Sequence, residues 1–106
     1  MEVDEFRQEL ERIAGEQAAL DGNVVNPPVF LPGEDPGNAY LDDTRHWVTV
    51  YRELITLKEK VVDDLDQGRQ EVSEPGQVEV NRDQELIGLE LRRLRLHLDF
   101  WEARLR

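Results

Sequence analysis

The chain contains no cysteine, so neither a disulfide nor a thiolate metal site can contribute to its fold. It also has no run of about 18 apolar residues, which a membrane-spanning helix requires. The opening MEVDEFRQEL is acidic and amphipathic, whereas an export signal has a basic start followed by a continuous apolar segment. We therefore expect no membrane partner and a cytoplasmic location.

The motifs of the common enzyme classes are absent as well. There is no phosphate-binding loop, no dinucleotide-binding glycine motif and no nucleophile elbow. A dimetal site in a helical bundle needs Glu-x-x-His pairs. The chain offers only Asp43-x-x-His46, while Leu94 stands three residues before His97. We predict a protein that is not an enzyme and that uses no cofactor and no metal.

Negative charge is abundant but unevenly placed. The net charge is −11, yet the stretch from Arg92 onward carries five arginines against Asp99 and Glu102, a net charge of +3. Residues 1–91 therefore carry −14, which disfavours nucleic-acid and anionic-membrane binding. We interpret the basic end as pairing with acidic groups of the same chain or of a second copy, and the alternative is an anionic ligand or nucleic acid.

Two acidic pairs, Glu34-Asp35 and Asp42-Asp43, lack the spacing of a calcium loop, so we interpret them as solvated surface. The second pair, with Thr44, offers the side-chain acceptors and negative charge that suit a helix N-terminus. We predict a helix over residues 43–67 that ends at Gly68. Lys58 falls in the middle of its broad apolar face, where we expect a snorkelling side chain, an intrachain ion pair or a partner contact.

The most informative stretch is a predicted helix over residues 81–106, which is apolar on two opposite faces. One face is a seam with alternating steps of four and three residues: Ile87, Leu91, Leu94, Leu98, Trp101 and Leu105. At about 100° per residue, a second group lies roughly opposite: Leu89, Leu96, Phe100 and Ala103. A helix with one neighbour would leave that second group in water, so we predict partners on both sides.

The start of that helix is predicted from Asn81 and Gln84, which resemble a capping box. The loop 68–80, with Pro75-Gly76, would then turn the chain back. The two long helices are thus expected to form an antiparallel hairpin.

An amphipathic N-terminal helix is predicted over residues 1–21. Its seam contains Val3, Phe6, Leu10, Ile13, Gln17 and Leu20, and Gln17 interrupts it. Gly22 supplies a stop, since glycine readily takes the left-handed conformation beyond a helix end. This helix is either part of the core or a detachable docking helix.

Residues 22–42 hold four prolines and three glycines, so neither a helix nor a central strand can pass through them. The segment is also too apolar for a solvated linker. We predict either a strap with its Val-Phe-Leu residues in a groove of the bundle, or a peptide motif offered to a partner. The turns over 32–37 are expected at the surface. Candidate partner contacts are Phe30, Leu31, Tyr40, Arg92, Arg93 and Arg95.

Together these patterns predict one all-α domain over residues 1–106, an antiparallel hairpin with an N-terminal helix and a proline-rich strap, completed into a bundle by dimerisation. The predicted function is a non-enzymatic protein–protein interaction module, an adaptor or regulator that forms a homodimer and binds a protein partner. Its self-association would use Leu89, Leu96, Phe100 and Ala103. The alternative is an acidic nucleic-acid mimic that inhibits a DNA- or RNA-binding protein.

Overall fold

The computed structural model describes residues 1–22, 29–38, 40–69 and 71–105. Within these ranges the chain forms three α-helices and no strand: α1 (Val3–Asp21), α2 (Leu41–Arg69) and α3 (Glu74–Ala103). The all-helical prediction is confirmed. None of the described helices combines the length and apolarity that crossing a bilayer demands. Residues 23–28 and 39 of the predicted strap lie outside the described residues.

The end of α1 matches the prediction. Gly22 has φ 71°, and its N–H donates to the carbonyl of Ala18. Helix α2 begins at Leu41, two residues before the predicted start. Asp42 and Asp43 therefore lie inside its first turn, where their charge still favours the positive end of the helix.

The prediction for the start of α3 was wrong. The helix begins at Glu74 with Ser73 at its N-cap position, so most of the expected loop 68–80 is helical and Asn81 lies inside α3. Pro75-Gly76 suggested a turn. A proline in the first helical turn loses no hydrogen bond, however, because the amides there have no partner within the helix.

Helix α3 packs against α2 and also against α1. Its two apolar faces thus both have neighbours within the chain. On the α2 side, residue numbers rise along one helix as they fall along the other in three hydrogen-bonded side-chain pairs: Arg52 with Glu102, Glu59 with Arg95, and Arg69 with Asn81.

Lys58 lies at the same interface. Its Nζ is 3.3 Å from Oε1 of Glu90, with both side chains about one-third exposed. Of the three alternatives predicted for Lys58, the intrachain ion pair is the one present. Surface access screens this pair, so its contribution to stability is small.

Helix α1 is a core helix. Phe6, Leu10 and Ile13 are almost completely buried, and the Phe6 ring stacks on Phe100 with ring centres 4.1 Å apart. Gln17 is half-buried, and its Oε1 accepts no hydrogen bond from a described residue. The sequence left open whether α1 is part of the core or a detachable docking helix, and the burial of Phe6, Leu10 and Ile13 favours the core.

The core contains residues from all three helices. Its centre is aromatic, with Phe6, Phe100, Trp101, Tyr51 and Trp47 all buried. Val29, Phe30 and Leu31, from the segment between α1 and α2, are half-buried and pack against this centre. The same segment also carries Glu34, a carboxylate that is buried in this core.

Candidate functional site

Glu34 is buried, with only 7% of its surface exposed. Its backbone N–H donates to the Leu31 carbonyl at 2.9 Å, closing a turn, and the Leu31 N–H donates to its Oε1 at 3.0 Å. Gly33, at φ 85°, supplies the left-handed residue of that turn. The interpretation of Glu34 as solvated surface was wrong, whereas its neighbour Asp35 is exposed. The turn aims one carboxylate inward and leaves the other in water.

Three side chains from α2 and α3 complete the shell around Glu34. The Tyr51 hydroxyl donates to Oε1 at 2.5 Å. His97 Nδ1 and Trp101 Nε1 each lie 2.8 Å from Oε2. An ionised carboxylate only accepts hydrogen bonds, so His97 carries a hydrogen on Nδ1. With the Leu31 amide, each oxygen of Glu34 accepts two hydrogen bonds.

Aromatic rings enclose these polar contacts. The His97 imidazole is 2% exposed and stacks on the Tyr51 ring, with centres 4.4 Å apart. The rings of Phe6 and Phe30 meet it edge-on at 5.1 and 5.9 Å. By helical periodicity His97 falls on a polar strip between the two apolar faces of α3. Its imidazole is nevertheless buried, because segment 29–38 brings an acceptor to it and covers that strip.

The environment keeps Glu34 ionised. Burial by itself raises the pKa of Glu34, but the hydrogen bond and charge of His97, with the hydrogen bonds from Tyr51 and Trp101, outweigh it, so the net pKa is lowered. Burial raises the pKa of Tyr51, and the adjacent Glu34 carboxylate raises it further. Tyr51 therefore remains a hydrogen-bond donor, and the cluster is a stable arrangement of one anion and its donors.

This cluster, the Glu34 joint, consists of Glu34, Tyr51, His97 and Trp101. Both carboxylate oxygens are fully engaged, so Glu34 has no free position with which to accept a proton from a substrate. What the arrangement does is connect segment 29–38 to α2 and α3. Sequence signals for it existed: His97 and Trp101 are four residues apart on one helix face, and buried Trp and Tyr usually require a polar partner.

A second candidate feature is an open groove between α1 and α3. A cavity of about 340 Å³ is lined by Met1, Leu96, Asp99, Phe100, Ala103 and Arg104. A neighbouring one of about 460 Å³ is lined by Glu9, Ile13, Arg92, Arg95, Leu96 and Asp99. The two share Leu96 and Asp99. We call the combined feature the outer groove.

The outer groove gathers three of the four residues predicted for self-association. Leu96 is half-buried and Ala103 is exposed, so both are accessible there. Phe100 is buried beneath Phe6 of α1 and forms the floor rather than a free surface. Leu89 is half-buried and lies one heptad before Leu96, outside both cavities.

The arginines proposed as partner contacts differ from one another. Arg95 donates to Glu59 at 3.2 Å, whereas Arg92 only approaches Glu16, at 3.8 Å. Arg93 is half-buried, and its Nη1 finds no acceptor among the described residues. Intrachain pairing with acidic residues, one of the two expected arrangements, is present.

The other proposed contacts lie apart from the outer groove. Phe30 and Leu31 pack against the core, while Tyr40 is 76% exposed. Leu57, next to Lys58 on the apolar side of α2, is 58% exposed beside a shallow depression of about 430 Å³. Helix α2 therefore buries a narrower face than its apolar residues suggest.

Chemical groups that bind metals are dispersed. Over the part of the chain that the structure describes, no three His, Asp or Glu side chains cluster as metal ligands would. His46, from the Asp43-x-x-His46 pair, is exposed, and Asp43 accepts a hydrogen bond from Asn38.

In comparisons with known proteins, no family model, curated protein or solved structure matches the chain.

Proposed function

We propose that this protein is a non-enzymatic, cytoplasmic interaction module, an adaptor or regulator that pairs with a second copy of itself through the outer groove. In this proposal α2 and α3 form an antiparallel hairpin, α1 covers part of the second face of α3, and the described segment 29–38 acts as a strap. The observation that carries the proposal is the accessibility of Leu96 and Ala103 on a helix face that α1 covers only in part.

The composition of the groove supports a helix as its ligand. Leu96 provides apolar area at the centre. Ala103 in the groove and Gly88, which lies outside it two turns before Leu96 on α3, are small and exposed, so another helix can approach closely. Charged residues, among them Arg92 and Asp99, stand at the rim. An apolar centre with a polar rim is the usual layout of a protein–protein interface.

The acidic nucleic-acid mimic has less support. A mimic needs free carboxylates arranged like phosphates, but several surface carboxylates already have cationic neighbours. Arg12 bridges Glu9 and Glu16 at 2.9 Å each, and Arg95 bonds to Glu59. These pairs reduce the negative potential that a nucleic-acid-binding protein would recognise. We therefore retain the interaction module as the proposed function.

Sedimentation equilibrium tests the proposal. We expect the wild type to be a dimer at micromolar concentration and the double variant Leu89→Glu/Leu96→Glu to be a monomer, because each large apolar side chain buried contributes about 1.5–3 kcal/mol. The control Leu57→Glu/Val61→Glu places the same two charges on exposed apolar positions of α2 and should remain a dimer. Circular dichroism must show that every variant remains helical. A wild-type monomer at high micromolar concentration would refute self-association.

A further inference from the structure

We propose that the two copies pair α3 against α3 in antiparallel orientation, about a two-fold axis that passes between Arg95 and Leu96. This inference rests on the proposed function and adds the register and orientation of the contact. It follows from the order of residue types along the uncovered face of α3.

That uncovered face is a single stripe. Gly88, Arg92, Leu96, Asp99 and Ala103 follow one another in steps of four, four, three and four, so they lie along one side of the helix. All are exposed except Leu96, which is half-buried. At Gly88, apart from its chain neighbours and the adjoining backbone of α3, no atom of the described residues lies within 4 Å of where a β-carbon would stand. The stripe is open to an incoming helix on both sides of Leu96.

The stripe is complementary to itself when reversed. Arg92 and Asp99 are equally far, in residues, from the midpoint between Arg95 and Leu96, and Gly88 and Ala103 are also equally far from it. A two-fold axis at that midpoint places Arg92 of each copy opposite Asp99 of the other. It also places each Gly88 opposite Ala103, two small residues that let the backbones approach. The two Leu96 residues lie next to each other, each half a residue from the axis, and every contact occurs twice, as in any isologous interface.

The charged groups are available for this exchange. Arg92 is 3.8 Å from Glu16, and the two side chains are 55% and 42% exposed, so solvent weakens that contact. Asp99 makes no ion pair with any of the residues that the structure describes. Both side chains can therefore turn toward a second helix without breaking a buried interaction.

Charge also selects the orientation. A parallel pair in register would place Arg92 beside Arg92 and Asp99 beside Asp99, which is repulsive at both points. The antiparallel pair converts both contacts into attractions.

Charge reversal tests the register. Arg92→Asp and Asp99→Arg each place like charges opposite one another twice in the antiparallel homodimer, so each should raise the dimer Kd at least tenfold. The double variant Arg92→Asp/Asp99→Arg restores both attractions, and its Kd should return to within about threefold of the wild type. The two single variants, mixed in equal amounts, should form a heterodimer, because every contact between them is then attractive.

Matched controls separate this geometry from a general charge effect. Lys60→Asp and Glu53→Arg change the net charge by the same amounts on the exposed face of α2 and should leave the Kd nearly unchanged. If the wild type is a dimer but the single reversals on α3 behave like these controls, the antiparallel register is refuted while self-association stands. If the wild type is a monomer, the proposed function itself fails.

Discussion

Replacing Glu34 by glutamine tests the Glu34 joint with the smallest possible change of shape. Glutamine keeps one oxygen but places an NH₂ donor where the other oxygen stood. With the NH₂ at the Oε2 position it faces the Trp101 N–H, a group that can only donate. At the Oε1 position it faces the Leu31 amide N–H, which also can only donate. In either orientation one buried N–H loses its acceptor.

The expected loss of stability follows from those contacts. An unsatisfied buried donor costs about 1–3 kcal/mol, and the remaining hydrogen bonds also weaken because the acceptor is no longer charged. We therefore expect Glu34→Gln to reduce the free energy of unfolding by about 2–4 kcal/mol. That is a large part of the total of about 5–15 kcal/mol that is typical of a domain. Glu34→Ala, which leaves four donors without an acceptor, should cost about 3–5 kcal/mol.

Urea unfolding followed by circular dichroism at neutral pH measures these differences. The matched control is Asp35→Asn, which removes one negative charge from the same turn. Asp35 is exposed, and an asparagine oxygen can still accept from the Gly37 N–H as Oδ1 does now. We expect this control to change stability by no more than about 0.5 kcal/mol. Equal effects of Glu34→Gln and Asp35→Asn would show that the joint does not stabilise the fold.

Two further predictions concern the same core. The folded-state pKa of Glu34 lies below its ordinary 4.5, so the stability that the ionised carboxylate contributes is present above pH 4.5 and is lost as the pH falls through the folded-state pKa. In urea titrations the difference in unfolding free energy between wild type and Glu34→Gln should therefore shrink below about pH 4.5. A difference that grew would contradict the lowered pKa of Glu34. Phe6→Ala should reduce the free energy of unfolding by about 3–5 kcal/mol, because it leaves a cavity against Phe100. Gln8→Ala, on the exposed side of α1, should reduce it by less than about 0.5 kcal/mol. Similar urea midpoints for the two variants would mean that α1 does not contribute to the core.

Periodicity predicted the helices better than their ends. The three-and-four spacing identified α1, and Gly22 ends it because a left-handed residue is needed there. The two apolar faces of α3 correctly indicated two neighbours. Its start was misplaced because proline has opposite meanings inside a helix and in its first turn, and one sequence does not distinguish them.

The Glu34 joint could not be located from sequence because its members are far apart in the chain. Tyr51, His97 and Trp101 lie 17, 63 and 67 residues from Glu34. Local composition around Glu34 indicates an exposed turn, which is correct for Asp35. Only the packing of segment 29–38 on the aromatic core distinguishes the two carboxylates, and that packing depends on all three helices together.

Arg104 is one connection between segment 29–38, which carries Glu34, and the outer groove; the ring contacts of Phe100 with Trp101 and Phe6 form another. The Arg104 guanidinium lies 4.3 Å from the centre of the Phe100 ring, at the edge of the groove, and its Nη1 donates to the Asn38 carbonyl at 3.2 Å, at the far end of segment 29–38. A single neutral-acceptor hydrogen bond of this kind contributes about 0.5–1.5 kcal/mol. Coupling between two sites cannot exceed the free energy of the contacts that differ between their states. Loosening the segment through this contact should therefore change self-association by no more than about tenfold, whereas reversing Arg92 or Asp99 acts on the groove directly. Unfolding experiments on Glu34 variants therefore test the joint, and association experiments on α3 variants test the groove.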